Sequence, residues 1–184
     1  DLTKFTNIFL PNIINKQLNK IFAKGNLEGE FIIPFKPDGT VSKNYTFYGK
    51  VIEADINITE DYRLKNLTAE VGYGENTLID TDGLSIIINK GTFLNLELLK
   101  SLIDIKFKKD KKFIQSSIHT KGNIGFAEIK KITSLLGYKT DYFEHINLTS
   151  DLTTNIEFNI DNKFRVGDVS YVIQGDINNF QIKI

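Results

Sequence analysis

The chain contains no cysteine, no methionine and no tryptophan. Without cysteine it can form no disulfide scaffold, no thiolate nucleophile and no cysteine-ligated metal site. That absence leaves the compartment open, because an oxidising compartment permits disulfides without requiring them. The missing methionine, with Asp1 at the start, reads as an excised fragment or a processed product, which would place any targeting signal or membrane anchor outside it. Arginine is confined to Arg63 and Arg165. Lysine over arginine, with abundant isoleucine and asparagine, fits AT-rich codons and carries little functional information. Neither sign of charge predominates: 23 basic and 23 acidic residues give a formal net charge of zero. A dedicated binder of nucleic acid or of an anionic membrane should show a basic excess, so the charge balance argues against both. Apolar runs are short, as in Leu84–Ile88 with Ser85 inside it. Nothing approaches the roughly 20 residues of a spanning helix. At 184 residues the chain suits one domain, or at most two small ones.

What is present is periodicity. Pro11 suits a first helical position, Ile14, Leu18 and Phe22 follow at helical spacing, and Gly25 stops the run, which predicts a helix over about 11–23. From Gly25 the period becomes two. Leu27, Gly29, Phe31, Ile33 and Phe35 alternate with mostly polar neighbours, and Pro37-Asp38-Gly39 turns the chain. Tyr45–Ile58 would span about 46 Å at about 3.3 Å per residue, far beyond a typical strand. Tyr62–Tyr73 returns. Further strands are expected at Thr77–Thr81, Leu84–Asn89, Thr92–Leu98, Ser101–Lys108 and Phe113–Asn123. A second helix is expected at about 126–136, where Phe126, Ile129, Ile132 and Leu136 form one stripe and Gly137 stops it. Strands resume at Ile146–Ile160, Phe164–Gln174 and Ile177–Ile184. The expected fold is therefore mainly β with two short helices, an α+β arrangement on one long, curved, mostly antiparallel sheet.

The first hairpin carries a finer signal. A turn centred on Glu60 places Ile56 opposite Leu64, Val51 opposite Ala69, Gly49 opposite Val71, and Phe47 opposite Tyr73. Near the turn the apolar residues occupy even positions, and farther out they occupy odd ones. Both strands switch phase at the same height, between Val51 and Ala54 and between Leu64 and Leu67. Either each strand holds a bulge there, or the sheet buries opposite faces at its two ends. Phe164 and Val166, followed by Val169, Tyr171 and Ile173, show the same kind of slip.

Catalytic chemistry is hard to find. His119 lies mid-strand and reads as a surface residue; His145, with Asp141 and Glu144, reads as loop charge and lacks the helical spacing of a zinc pair. Asp80-Thr81-Asp82-Gly83 fails as a calcium loop, since Gly91 stands at the twelfth position. Gly72-Tyr73-Gly74 lacks the third glycine and the helix of a dinucleotide fingerprint. Glu53 and Asp55 share a strand face in a regular strand, which is weakly compatible with acid–base work and better explained as solvated polarity. Asn44, Asn57, Asn66 and Asn147 begin glycosylation-like triplets that chance supplies in a chain rich in Asn and Thr. No enzyme activity, cofactor or metal is expected.

Several features occur in order: Leu10-Pro11 opening an amphipathic helix, Gly25-Asn26-Leu27-Glu28-Gly29-Glu30-Phe31, Phe47-Tyr48-Gly49-Lys50-Val51, Tyr62 through Val71, Leu84-Ser85-Ile86 before a Gly91 turn, and Lys121-Gly122-Asn123 leading into Leu135-Leu136-Gly137 and Ile146–Ile160. Together they resemble the central region of the AsmA-like, YhdP-type envelope proteins, over nearly the whole chain. The resemblance implies a periplasmic β-groove belonging to a protein anchored in the inner membrane of a Gram-negative bacterium. It also implies a role in moving phospholipids between inner and outer membranes. Residues 1–184 would then be one segment of that groove, with phospholipid acyl chains and neighbouring segments of the same chain as partners and no nucleic acid.

Alternation independently supplies what an acyl-chain groove needs: an apolar face, a polar face and no catalytic group. The candidate lining comprises Tyr45, Phe47, Val51, Ala69, Val71 and Tyr73 from the hairpin, with Ile103, Ile105, Phe107, Leu152, Ile156 and Phe158 from later strands. Each could equally be ordinary core covered by the helices. A different reading is a β-rich adhesion or scaffold module that binds protein or glycan and carries no lipid.

Overall fold

Period-two alternation yields nine strands in one antiparallel sheet. The computed structural model describes residues 22–40, 46–57, 62–74, 83–108, 110–135, 145–163 and 165–183. The strands are β1 (Phe22–Ile32), β2 (Thr46–Asn57), β3 (Arg63–Tyr73), β4 (Gly83–Phe93), β5 (Leu96–Leu98), β6 (Ser101–Phe107), β7 (Lys111–Gly125), β8 (His145–Asp161) and β9 (Ser170–Lys183), with one helix, α1 (Phe126–Leu135), between β7 and β8. The order is a meander in which β5 and β6, lying end to end, share the position between β4 and β7. β1 and β9 stand at the two edges of this described sheet.

The first hairpin settles the question of phase. Ile56 pairs with Leu64, Val51 with Ala69, Gly49 with Val71 and Phe47 with Tyr73, as the turn arithmetic requires. The register slips by one residue on each strand. Glu53 (φ 49°) and Asn66 (φ 51°) are the extra residues, both in the left-handed region. Because each strand absorbs one residue, the even-numbered and odd-numbered apolar sets end on the same face. β4 answers with its own extra residue at Asn89, between the pairs Thr68–Lys90 and Ala69–Ile88. The break between β5 and β6 adds one more, since Leu98 pairs with Thr120 while Leu102 pairs with Ser117. β1 carries one as well, between the pairs Phe22–Ile56 and Lys24–Asp55, so a line of single-residue insertions crosses five adjacent strand positions at one height, bending each strand locally. It stops at β7, which runs alongside β8 through fifteen consecutive pairs without a slip.

Three expectations need correction. The helix over 11–23 lies mostly outside the described residues, and its last two positions, Phe22 and Ala23, belong instead to strand β1. Asn89-Lys90-Gly91 is not a turn between two strands. It lies inside β4, where the bulge mimics a break, and the turn falls at Leu94-Asn95. The gap expected after Gln174 is also absent, since β9 runs on through Gly175 and Asp176. Gly175 (φ 143°) passes so close to the Asp151 carbonyl that any side chain there would collide with it, which is why a glycine sits mid-strand. The slip after Val166 is real: Val166 bridges Ile160, and one extra residue precedes the Ser170–Glu157 pair. The expected strand at 77–81 lies outside the described residues.

The left-handed bulge residues generate a test. Asn66→Val should destabilise the fold by about 1–2 kcal/mol, because a β-branched residue is strained at positive φ. Asn66→Gly should be neutral or stabilising. Urea denaturation of the two variants gives both values, and equal destabilisation would show that the bulge conformation is not the constraint.

Candidate functional site

Residues directly opposite one another in an antiparallel ladder project to the same face, and neighbours along a strand alternate. Following the pairs across the sheet places Phe47 and Val51 (β2) with Ala69, Val71 and Tyr73 (β3), and these with Leu84, Ile86 and Ile88 (β4). The same face continues through Ile103, Ile105 and Phe107 (β6) to Leu152, Ile156 and Phe158 (β8), by way of Ile114, Ser116 and Thr120 on β7. The eleven expected lining residues that fall within the described chain thus share one face, while Tyr45 lies outside the described residues.

Burial on this face is graded. Val51, Ala54, Leu67, Ala69, Ile88 and Leu98 form its buried centre, with Leu27, Ile56, Leu64, Val71, Ile86, Phe93, Ile103 and Ile118 packed around them. Outward toward β9 the face opens, and Tyr171 and Ile173 are more than half exposed. Aromatic rings line one end: Phe31 lies 5.8 Å from Phe47 and Tyr73 lies 6.0 Å from Phe107, centroid to centroid. The hydroxyls on this face are turned onto strand carbonyls. Ser116 donates to Ile156 O, Thr120 to Leu152 O and Ser150 to Gly122 O, at 3.4–3.5 Å. They therefore interrupt the apolar surface with little unpaired polarity.

At the other end α1 crosses the face. Ile129 packs on Leu96, Ile124, Ile146 and Leu148, and the Tyr62 hydroxyl, next to the start of β3, donates to the Lys131 carbonyl at 3.0 Å. The Glu128 carboxylate accepts the Gly125 N–H at 3.1 Å and the Asn95 amide at 2.7 Å, fixing the start of the helix. One end of the apolar face is thus occupied by a helix, and the other carries the aromatic rings.

The opposite face is largely polar. Tyr48 donates to Glu70 at 3.2 Å, Gln115 to Glu157 at 3.1 Å and Thr149 to Asn123 at 2.9 Å. His119 Nε2 lies 2.6 Å from one Asp151 oxygen, and Lys121 Nζ donates to the other at 2.9 Å. The His119 hydrogen bond, then that of Lys121, holds the Asp151 carboxyl below its ordinary range, while the Asp151 hydrogen bond raises the Lys121 ammonium. His119 was legible as a strand residue, but its partner was not, because Asp151 becomes its neighbour only through the β7–β8 register. An open cleft of about 600 Å³ on this side is bordered by Asn95, Glu97, Lys121, Asn123, Glu128 and Thr149.

The remaining sequence candidates do not assemble into a reactive site. Glu53 and Asp55 do not form an acid–base pair on a regular strand face. Glu53 is the bulge residue, and Asp55 accepts the Asn66 N–H at 3.0 Å and lies 3.7 Å from Lys24. Asp141 and Glu144 lie outside the described residues. Among the described residues no three His, Cys, Asp or Glu side chains gather where they could hold a metal, and no helix is long and apolar enough to cross a membrane. Sequence reasoning left Leu84, Ile86 and Ile88 of β4 out of the lining, because the apolar Ile87 between them blurs the alternation. No protein-family model, curated protein or solved structure matches this chain.

The Asp151 network yields a pH prediction. A carboxyl whose folded pKa is depressed stabilises the fold above its unfolded value, near 3.8, and loses that contribution as pH falls through the folded value. Asp151→Asn should therefore melt below the parent protein at neutral pH, with the gap closing in the acid range below 3.8. A gap that is unchanged by acid would contradict the assignment.

Proposed function

We propose that the protein is a segment of an AsmA-like periplasmic protein that holds phospholipid acyl chains against the apolar face of its sheet, on the route between inner and outer membranes. The observation that supports this reading is the shared face. Phe47, Val71, Ile103, Ile156 and Phe158, drawn from four separate strands, project to one side of the sheet, opposite a polar one. A surface of this kind can hold alkyl chains with no reactive group. Each methylene withdrawn from water contributes about 0.8 kcal/mol, so ten of them contribute about 8 kcal/mol before the cost of ordering the chain. The gradation of burial is consistent with such use, since the face is packed at its centre and open toward β9.

Organic extraction of the purified chain followed by mass spectrometry should recover phospholipid in stoichiometric proportion. Ile156→Asp, which places a charge on the half-buried part of the face, should lower that yield about tenfold or more. Its circular dichroism spectrum should stay β-rich. Recovery of no lipid from the parent protein would instead favour a β-rich module that binds protein or glycan.

A further inference from the structure

The net charge of zero conceals a local segregation. The β6–β7 hairpin carries Lys106, Lys108, Lys111 and Lys112, with Asp110 as the acidic residue among them. Lys108 and Lys111 close it through two backbone hydrogen bonds, Lys108 N to Lys111 O at 2.9 Å and Lys111 N to Lys108 O at 3.3 Å. Lys106 Nζ lies 3.8 Å from the Asp104 carboxylate, and Lys108 Nζ stands 4.8 Å from the Phe113 ring centre. In the neighbouring β8–β9 connection Arg165 is held by Asp161 at 2.6 Å and Lys163 is balanced by Asp168, so that connection adds no net charge beside the β6–β7 tip.

Apolar groups share this end of the sheet with those lysines. Phe107 is on the apolar face next to Tyr73 and is 38% exposed. At the same end of the sheet Phe31 is 50%, Ile32 57% and Phe35 67% exposed. The opposite end of the face is crossed by α1. Ammonium groups on long stems, with Phe107 beside them and further exposed rings and aliphatic side chains along the same end of the sheet, match a surface that is anionic outside and apolar just beneath. An oligonucleotide would use the lysines and rings, but Ile32 offers it no stacking face.

We propose that the β6–β7 tip docks the protein on an anionic phospholipid bilayer, so that the end of the apolar face opposite α1 meets the membrane. The purpose of this contact rests on the acyl-chain reading, whereas the contact itself is measured separately. The test is cosedimentation of the full chain with vesicles of phosphatidylcholine and phosphatidylglycerol, set against vesicles of phosphatidylcholine alone. Binding should require the anionic lipid and weaken as salt rises. K108E/K111E should weaken it at least about thirtyfold, since each surface lysine near an anionic leaflet is worth about fivefold. K130E/K131E, a basic pair on α1 at the far end, should bind as the parent does. Extracted lipid should be unchanged in K108E/K111E. Parent-like binding by K108E/K111E, loss of binding in K130E/K131E, or tighter binding to an oligonucleotide than to anionic vesicles would overturn the docking proposal. Docking with no extractable lipid would instead overturn the acyl-chain reading and leave the contact standing.

Discussion

The structure depends on keeping one face apolar along strands that outrun the regular pleat. Side chains on a strand alternate strictly, so one inserted residue sends everything beyond it to the other face. The chain meets this constraint collectively. Glu53 in β2, Asn66 in β3, Asn89 in β4 and the β5–β6 break each add one residue at a common height, and the ladder resumes in step beyond them. The cost is positive φ at Glu53 and Asn66, partly offset where Asp55 accepts the Asn66 N–H. Far from this line, Asn179 (φ 52°) marks an equivalent slip in β9. With the phase restored, Ala54, Ile56, Leu64 and Leu67 join Val51 and Ala69 in one cluster, and they would otherwise face away from it.

The other features follow from that division into two faces. Polar ladder pairs collect on the opposite side; Ser85 and Asp104 are buried there, whereas solvent competes for the exposed pairs and each of those adds little stability. The hydroxyls left on the apolar side bond back to strand carbonyls. The helix lies over one end of the face, where Ile129 supplies apolar packing and Tyr62 the polar tie. The result is a surface closed by α1 at one end and bordered by aromatic rings and lysines at the other, with a polarity along the strands that the balanced composition does not reveal.

Much of this was legible in the sequence, and the failures have physical causes. Long strands, the register of the first hairpin and the helix after Gly125 follow from periodicity alone. The eleven candidate residues were drawn from separate alternations, and the register places them on one face because each alternation already marked its apolar side. Asn89-Lys90-Gly91 misled because a bulge and a turn use the same residues. Gly175-Asp176 misled because a glycine needed for close approach to Asp151 resembles one needed for a turn. The His119–Asp151–Lys121 cluster and the two-sided choice between bulge and inversion depend on pairing across strands, which a linear pattern leaves open.

The central claim is that one face of the sheet, and not the other, receives acyl chains. Because the chain has no native cysteine, a single cysteine can report on each face. Ile156→Cys and Glu157→Cys are adjacent in β8 and project to opposite sides. Each would be incubated with a phospholipid bearing a thiol-reactive group near the end of its acyl chain. The account predicts rapid lipid attachment at position 156 and little at 157, although 157 is the more exposed position. Attachment that simply follows exposure, faster at 157 than at 156, would contradict it.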